Sequence, residues 1–389
     1  MKKFLIVVLA ALFCLGFALP AMAAVQVGGM ITTDFYYYDK SKEAQAGGLV
    51  QGATTLYDGV SEIQINLPQA YNRFNVRFNT DDNVLIGFIE LRQGAPDVDK
   101  ESGLIWNYGW LMWQVAPNHR FMIGRQTQAY SIGNPELSLG SNAGHNLAGG
   151  FNYVGAASTD AIRWYVRFTD NARLEVQIVD PRNDGKEDIN GFPGIVGAPQ
   201  EENVLPALQA ALPLTFGNFY LEPSLYYQDI KYDQVAGGND DKLTVYGLCL
   251  LFKIGFGMMT LSGEVEYDQN LMNQADFYQT ASGYYVITDT ESLYGWLNLG
   301  IKFGAATLNL AVGAIKIEND GSPSPNDELD RTKVFYGASL PISVAKGFTI
   351  KPEITYYDFD GSALDGSNNP STTDYGNDMV LGVQFQLVF

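Results

Sequence analysis

The sequence predicts an all-β chain, a transmembrane antiparallel β-barrel of sixteen strands in one domain. Three observations carry this. Apolar and polar residues alternate with period two over many segments of ~10 residues, the length a tilted strand needs to cross the hydrocarbon layer. Seven tight turns alternate with eight long polar loops, which requires sixteen strands and sets both chain termini at the short-turn end of the barrel. Mean hydropathy is near zero although 46% of residues are hydrophobic, as expected when each strand has one apolar and one polar face.

Residues 1–23 read as a cleaved secretory signal peptide. Lys2 and Lys3 form the basic start, Phe4 to Leu19 the apolar stretch, and Ala21-Met22-Ala23 the cleavage signal. The run is short for a membrane anchor. Phe13 precedes Cys14 where a lipoprotein needs a small residue, so Cys14 leaves with the leader. That leaves Cys249 alone in residues 24–389, with no partner for an internal disulfide and no assigned role. No other apolar run has the length of a membrane helix. In lipid only a helix or a closed barrel satisfies every backbone polar group, so a membrane protein of this sequence must be a barrel.

The tight turns are expected at Thr80–Asn83, Ala116–His119, Asp170–Ala172, Gly217–Asn218, Gly255–Gly257, Gly304–Ala305 and Ala345–Gly347. Long loops are expected near 39–59, 93–103, 127–158, 181–205, 233–241, 270–290, 319–330 and 359–376. A β-sandwich also alternates but has no reason to collect its long loops at one end. Pro68 falls inside the second strand, where the apolar face changes parity, and predicts a bulge. The last strand alternates most clearly, with Met379, Leu381, Val383, Phe385, Leu387 and Phe389 opposite Gly382, Gln384 and Gln386. Tyr36 to Tyr38, Tyr226-Tyr227, Tyr284-Tyr285 and Tyr356-Tyr357 are expected to form an interfacial girdle at the loop-side ends.

Charge and chemistry narrow the function classes. The chain has 43 acids against 24 bases, net -19, which excludes a nucleic-acid partner. It has two histidines, His119 and His145, and none of the nucleophile-elbow, zinc-protease or phosphate-loop signatures, so no catalytic, metal or cofactor site is expected. Glu264 and Glu266 read as the wet face of a strand. The acidic loop 319–330 is consistent with divalent cations shared with lipopolysaccharide, or with plain solvation. Charged residues opposite apolar ones are candidates for a lumen wall: Arg73 and Arg77, Glu90 and Arg92, Arg163 and Arg167, Arg173 and Glu175.

The leader, the sixteen-strand pattern and the terminal Phe389 together resemble the Gram-negative general porins. In that family an aromatic C-terminus on an amphipathic last strand is read by the barrel-assembly machinery; Val383, Phe385, Leu387 and Phe389 match it. The family also carries Gly-Arg at the end of the fifth strand, then a long loop with Pro-Glu-Phe-Gly-Gly that folds into the channel. Here Gly124-Arg125 precedes loop 127–158, which holds Pro135-Glu136-Leu137-Ser138-Leu139-Gly140 without the Phe-Gly-Gly.

The resemblance implies short periplasmic turns, long extracellular loops, an outer-membrane homotrimer and a pore for passive diffusion of small hydrophilic solutes and ions. It also implies that Arg125 faces the lumen, although strict alternation sets it with Phe121 and Ile123. The expected constriction is therefore Glu136, the single acid of loop 127–158, facing Arg73, Arg77, Arg92, Arg125, Arg163 and Arg167, with weak selectivity leaning to anions. A substrate-specific channel and a closed structural or adhesive barrel are the alternatives. The fourth strand, with Trp106, Tyr108, Trp110 and Trp113, lacks a clean polar face and suits a wall packed against a neighbour.

Overall fold

The structure, a computed structural model, describes residues 22–40, 60–66, 72–80, 82–93, 104–130, 133, 135–137, 158–179, 201–204, 206–232, 242–270, 277–280, 283–286, 288–321, 331–364 and 370–389. Sixteen strands follow in chain order. They are β1 Met22–Lys40, β2 Val60–Asn66 continued by Arg73–Thr80, β3 Leu85–Gln93, β4 Leu104–Ala116, β5 His119–Thr127, β6 Ser158–Thr169, and β7 Ala172–Val179. Next come β8 in three pieces (Glu201–Val204, Ala207–Ala211, Leu214–Phe216), β9 Phe219–Tyr232, β10 Lys242–Phe256, β11 Met259–Gln269 and β12 Thr288–Phe303. The last are β13 Ala306–Gly321, β14 Arg331–Ser339 continued by Ile342–Ala345, β15 Phe348–Leu364 and β16 Pro370–Val388.

Each strand pairs antiparallel with the next, and β16 returns to β1 from Met30↔Val388 to Lys40↔Asp378. At this seam Phe389 N–H donates to the Gly29 carbonyl (3.1 Å) and Gly29 N–H to the Phe389 carbonyl (3.0 Å). Closure leaves no free edge, which is what a spanning sheet requires.

The seven tight turns lie where the sequence places them. Five carry a residue in the left-handed region, namely Asn83, Gly217, Gly257, Gly304 and Gly347. Glycine lacks the Cβ that would clash there, and asparagine tolerates it. Pro68, where the sequence predicts a bulge, lies outside the described residues, but the register on either side of it is shifted. Asn66 lies opposite Asp34 and Arg73 opposite Met30, seven steps along β2 against four along β1. Asn72 Oδ1 fills the broken ladder by accepting from Thr32 N–H (2.6 Å). Prolines interrupt β8 and β14, since they have no N–H to donate. The chain compensates with carbonyls: Pro213 accepts from Arg173 N–H and Pro341 from Thr307 N–H.

The alternation sorts the strands into two faces. Leu248, Val265, Leu297, Val312, Ile354 and Leu381 are exposed and point outward, while Cys249, Glu264, Trp296, Ala311, Thr355 and Val380 are buried inside. The outward belt is far larger than a monomer leaves to water, so it is a lipid-facing surface. Among the described residues no helix is long and apolar enough to cross a membrane, so crossing falls to the strands.

The tyrosine girdle is corrected by the same period of two. Adjacent residues cannot both face lipid, so each pair splits. Tyr227 is exposed on the outer face, and Tyr336 stacks on Tyr356 at 5.0 Å. Tyr36, Tyr226 and Tyr357 are buried inside. Tyr284 and Tyr285 belong to a separate hairpin, Phe277–Thr280 with Gly283–Val286, outside the barrel wall. Residues 1–21 lie outside the described residues. β1 starts at Met22, with a register shift between Met22 and Ala24.

Candidate pore and its inward segment

After β5 the chain turns into the barrel. Gln126 is buried on the inner face, and its amide donates to the Ala161 carbonyl (3.0 Å). The Thr127 carbonyl accepts from the Arg163 guanidinium and from Gln177 Nε2 (3.3 Å). Ala129 N–H then donates to Gln209 Oε1 on β8 (2.8 Å). The Tyr130 hydroxyl donates to Asp268 on β11 (2.5 Å), and its ring lies 5.8 Å from Tyr226 on β9.

Gly133 N–H donates to Glu264 Oε2 (2.9 Å), and the Glu136 carbonyl accepts from Ser339 Oγ on β14 (2.7 Å). Leu137 packs among Tyr36, Tyr294, Trp296, Phe335 and Tyr357. Burying that leucine contributes roughly 1.5–3 kcal/mol. Contact is so close at Gly133 that an added Cβ would sit 2.5 Å from Glu264 Oε2 and 2.6 Å from Leu251 Cδ1.

This segment makes the two sides of the barrel interior unlike. Nine carboxylates are buried among the described residues, and one base, Arg163. Six of those acids, Asp34, Glu264, Glu266, Asp268, Glu353 and Asp378, belong to the strands the segment lies against or their neighbours. Charge buried in low dielectric must be paired or hydrogen-bonded, and the Tyr130 and Gly133 donors go to two of them. Glu264 also accepts from the Tyr294 hydroxyl (2.6 Å), and Glu353 pairs with Lys351 (3.2 Å). Glu264 and Glu266 therefore face inward as expected but are not wet, because the inward segment covers them.

The expected constriction residues scatter over this geometry. Glu136 lies exposed on the inward segment. Arg163 is buried, donating to Glu175 Oε2 (3.1 Å), Gln177 Oε1 (2.8 Å) and the Thr127 carbonyl. It anchors the base of the segment. Arg73 faces inward and lies 3.7 Å from Glu90 Oε1, which also accepts from Asn107 Nδ2 (2.7 Å). Arg77 is exposed on the same inner row, and Arg92 is half-buried opposite Arg73.

Arg167 sits at the short-turn end, exposed and 3.5 Å from Asp170. Arg125 is in register with Asp160 and shares the outward row of Ile123 and Ile162, as strict alternation predicts; the residue turned inward is Gln126. The arginines thus do not gather at one throat opposite Glu136. Val383, Phe385, Leu387 and Phe389 share the outer row of β16. His119 stacks on Trp164 (5.7 Å) near the short-turn end, and His145 lies outside the described residues. Among the described residues one group has metal-ligating composition: the Cys249 thiol and the Glu264 and Glu266 carboxylates lie within 4.8 Å of one another, all buried.

The residues that hold the segment, above all Tyr130, Gln209, Asp268 and Ser339, escape a reading of alternation alone. A signal for them existed. Glu264, Glu266 and Asp268 put three acids on one face of a single spanning strand with no base between them, a costly arrangement that calls for a covering partner.

No family model matches the chain, and no curated protein does. Solved structures do. The outer-membrane channel DcaP of Acinetobacter baumannii superposes with a TM-score of 0.66 at 15% identity, covering 94% of this chain and 97% of that one. OmpT of Vibrio cholerae, in its trimer form, gives 0.57 at 12% identity over 94% and 99%. The anion-selective porin from Comamonas acidovorans gives 0.55 at 12% identity over 94% and 99%. At these identities the likeness is one of architecture, over 94% of the chain: it has the sixteen-stranded fold of the outer-membrane porins.

Proposed function

We propose that the chain is an outer-membrane porin, a water-filled channel for passive diffusion of small hydrophilic solutes and ions. The observation that carries this is the inward segment, Gln126 to Leu137, pinned across the interior by Arg163, Asp268, Glu264 and Ser339. A barrel narrowed by one segment conducts what fits past it. A closed structural barrel has no use for exposed charges on its inner wall, yet Arg77, Arg120, Lys253 and Lys302 are exposed there.

Selectivity leans weakly to anions in this reading. The wall acids are mostly buried beneath the segment, whereas the exposed inner charges are largely basic, with Glu136 opposing them. Exposed charge in a confined passage outweighs distant loop charge, which salt screens beyond ~8 Å. Export through cleavage after Ala23, assembly through the machinery that reads Phe389, contact with lipid and lipopolysaccharide, and a homotrimer complete the proposal. The trimer form of the Vibrio cholerae relative in fold supports the last. No catalytic role, metal or cofactor is part of it.

Planar-bilayer recording of the purified protein tests the proposal. Stable ion-conducting steps are expected, with a reversal potential of anionic sign across a KCl gradient. Absence of steps would sink the channel, and clear cation preference that survives high salt would sink the selectivity. Cross-linking in mild detergent that stops at a single chain would remove the trimer.

A further inference from the structure

The inner wall of β10 to β13 carries a second feature nearer the short-turn end. A cavity of about 200 Å³ opens beneath Glu136. At ~30 Å³ per water it holds roughly seven waters, the size of a small organic solute. Lys253, Ser262 and Asn298 lie side by side on one inward row across three strands. Thr260, Gly300 and Asn309 form the next row, and Lys302 faces Thr307 in the row below. The glycine leaves the middle of the floor without a side chain.

Two features specify a ligand. Lys253 and Lys302 bring two ammonium groups to the cavity and Glu136 one carboxylate, so the lining carries a net positive charge that suits one anionic group and disfavours a second beside Glu136. The rest of the lining is polar, with the Thr260, Ser262 and Thr307 hydroxyls beside Asn298 and Asn309. Hydroxyl and amide side chains both donate and accept, so they suit an occupant that carries hydroxyls of its own. Chloride has none. A small monocarboxylate bearing several hydroxyls supplies both: its carboxylate for the lysines, its hydroxyls for Asn298 and for the Thr260, Ser262 and Thr307 side chains.

We propose that this cavity is a binding subsite for hydroxylated monocarboxylates, such as sugar acids, on the short-turn side of the inward segment. The proposal rests on the channel reading for its access route and deepens it, making the pore one with a preferred solute class.

Gluconate is the probe, with sorbitol (hydroxyls without charge) and butyrate (charge without hydroxyls) as comparisons. In bilayers, millimolar gluconate should interrupt the KCl current, while sorbitol and butyrate at the same concentration should not. Lys302→Gln and Asn298→Ser should each raise the half-blocking concentration about tenfold, the loss expected for one charge-assisted or buried hydrogen bond. Heat-modifiable migration on a gel shows that each variant folds.

Titration calorimetry of gluconate into detergent-solubilised protein reads the subsite independently of current. No ion current with gluconate binding intact would sink the channel and leave the subsite. Normal current with neither block nor calorimetric binding would sink the subsite alone. So would butyrate acting as well as gluconate, or block unchanged in both variants.

Discussion

The two sides of the barrel interior are built from the same alternating strands and end up chemically opposite. On β2 to β7 the inward residues include Arg73, Arg77, Arg92, Arg120 and Arg173, with Tyr108 and Tyr165, and most are exposed or half-buried. On β11 to β16 and β1 they include Asp34, Glu264, Glu266, Asp268, Glu353 and Asp378, all buried, with Tyr294, Trp296, Phe335 and Tyr357. The inward segment makes the difference, because it lies against the second side and leaves the first bare. Arginines on the bare side can act on a passing solute. Carboxylates on the covered side act first on the protein, as acceptors that hold the segment in place.

Arg163 lies where the two regimes meet, and its removal has the largest expected effect. Its guanidinium is the one buried base among the described residues, and it serves Glu175, Gln177 and the Thr127 carbonyl together. Arg163→Met leaves Glu175 buried, although Arg173 remains 2.6 Å from it. Breaking a buried pair costs about 3–5 kcal/mol. The heat-modifiable transition should therefore fall clearly, and single-channel current should become noisy as the base of the segment loosens. A variant as stable and as quiet as the parent would mean that the bare side does not anchor the segment.

Gly133 tests the covered side. A Cβ there would meet Glu264 Oε2, Leu251 and Trp296, all within 2.9 Å. Gly133→Val must push the segment off the wall, at about 1–3 kcal/mol, the usual cost of overpacking. Conductance should rise while the barrel itself stays folded. Unchanged conductance in the folded variant would show that the segment does not define the passage.

The comparison also marks what the sequence can tell. Turns, strand number and the two faces follow from local rules: left-handed residues at turns and period two. They were legible because each depends on a few neighbouring residues. The candidate site was not, because covering is a long-range event. Nothing near Glu264 announces that Gly133 will donate to it from 131 positions away. Arg125 teaches a related point. The resemblance turned it inward, while the alternation of Phe121, Ile123 and Arg125 kept it outward, and the structure follows the alternation. Adjacent tyrosines mislead for the same reason, since only one of each pair can meet lipid.

Arg167 gives the contrast to Arg163 four positions along the same strand. It is exposed, and its partner Asp170 is more so. Such pairs contribute about 0–1 kcal/mol. Arg167→Gln should leave the heat-modifiable transition within a degree or two of the parent and shift the reversal potential only slightly, because the site is at the short-turn end. A shift as large as that of a charge change in the narrow passage would move the passage toward that end and redraw the bare side.

The smallest effect is expected at the foot of the bare side, in the turn joining β2 and β3. Asp82 accepts from the Thr80 hydroxyl (2.6 Å) and from Val84 N–H (3.1 Å), outside the lipid-spanning part of the strands. The Thr80 hydroxyl first, and the Val84 amide second, hold its carboxyl below the ordinary 3.8. A carboxylate whose folded value is depressed adds stability above its unfolded value, and that contribution fades as pH falls through the folded value. The turn should therefore be tightest at and above mildly acidic pH and loosen only in strong acid, after exposed carboxylates have already protonated. Carboxyl NMR of the protein in micelles should give Asp82 a midpoint below 3.8, and Thr80→Val should raise it. A midpoint at or above the ordinary value would show that the turn is not held by its own side chains, and that the bare side depends on its lattice of strand hydrogen bonds alone.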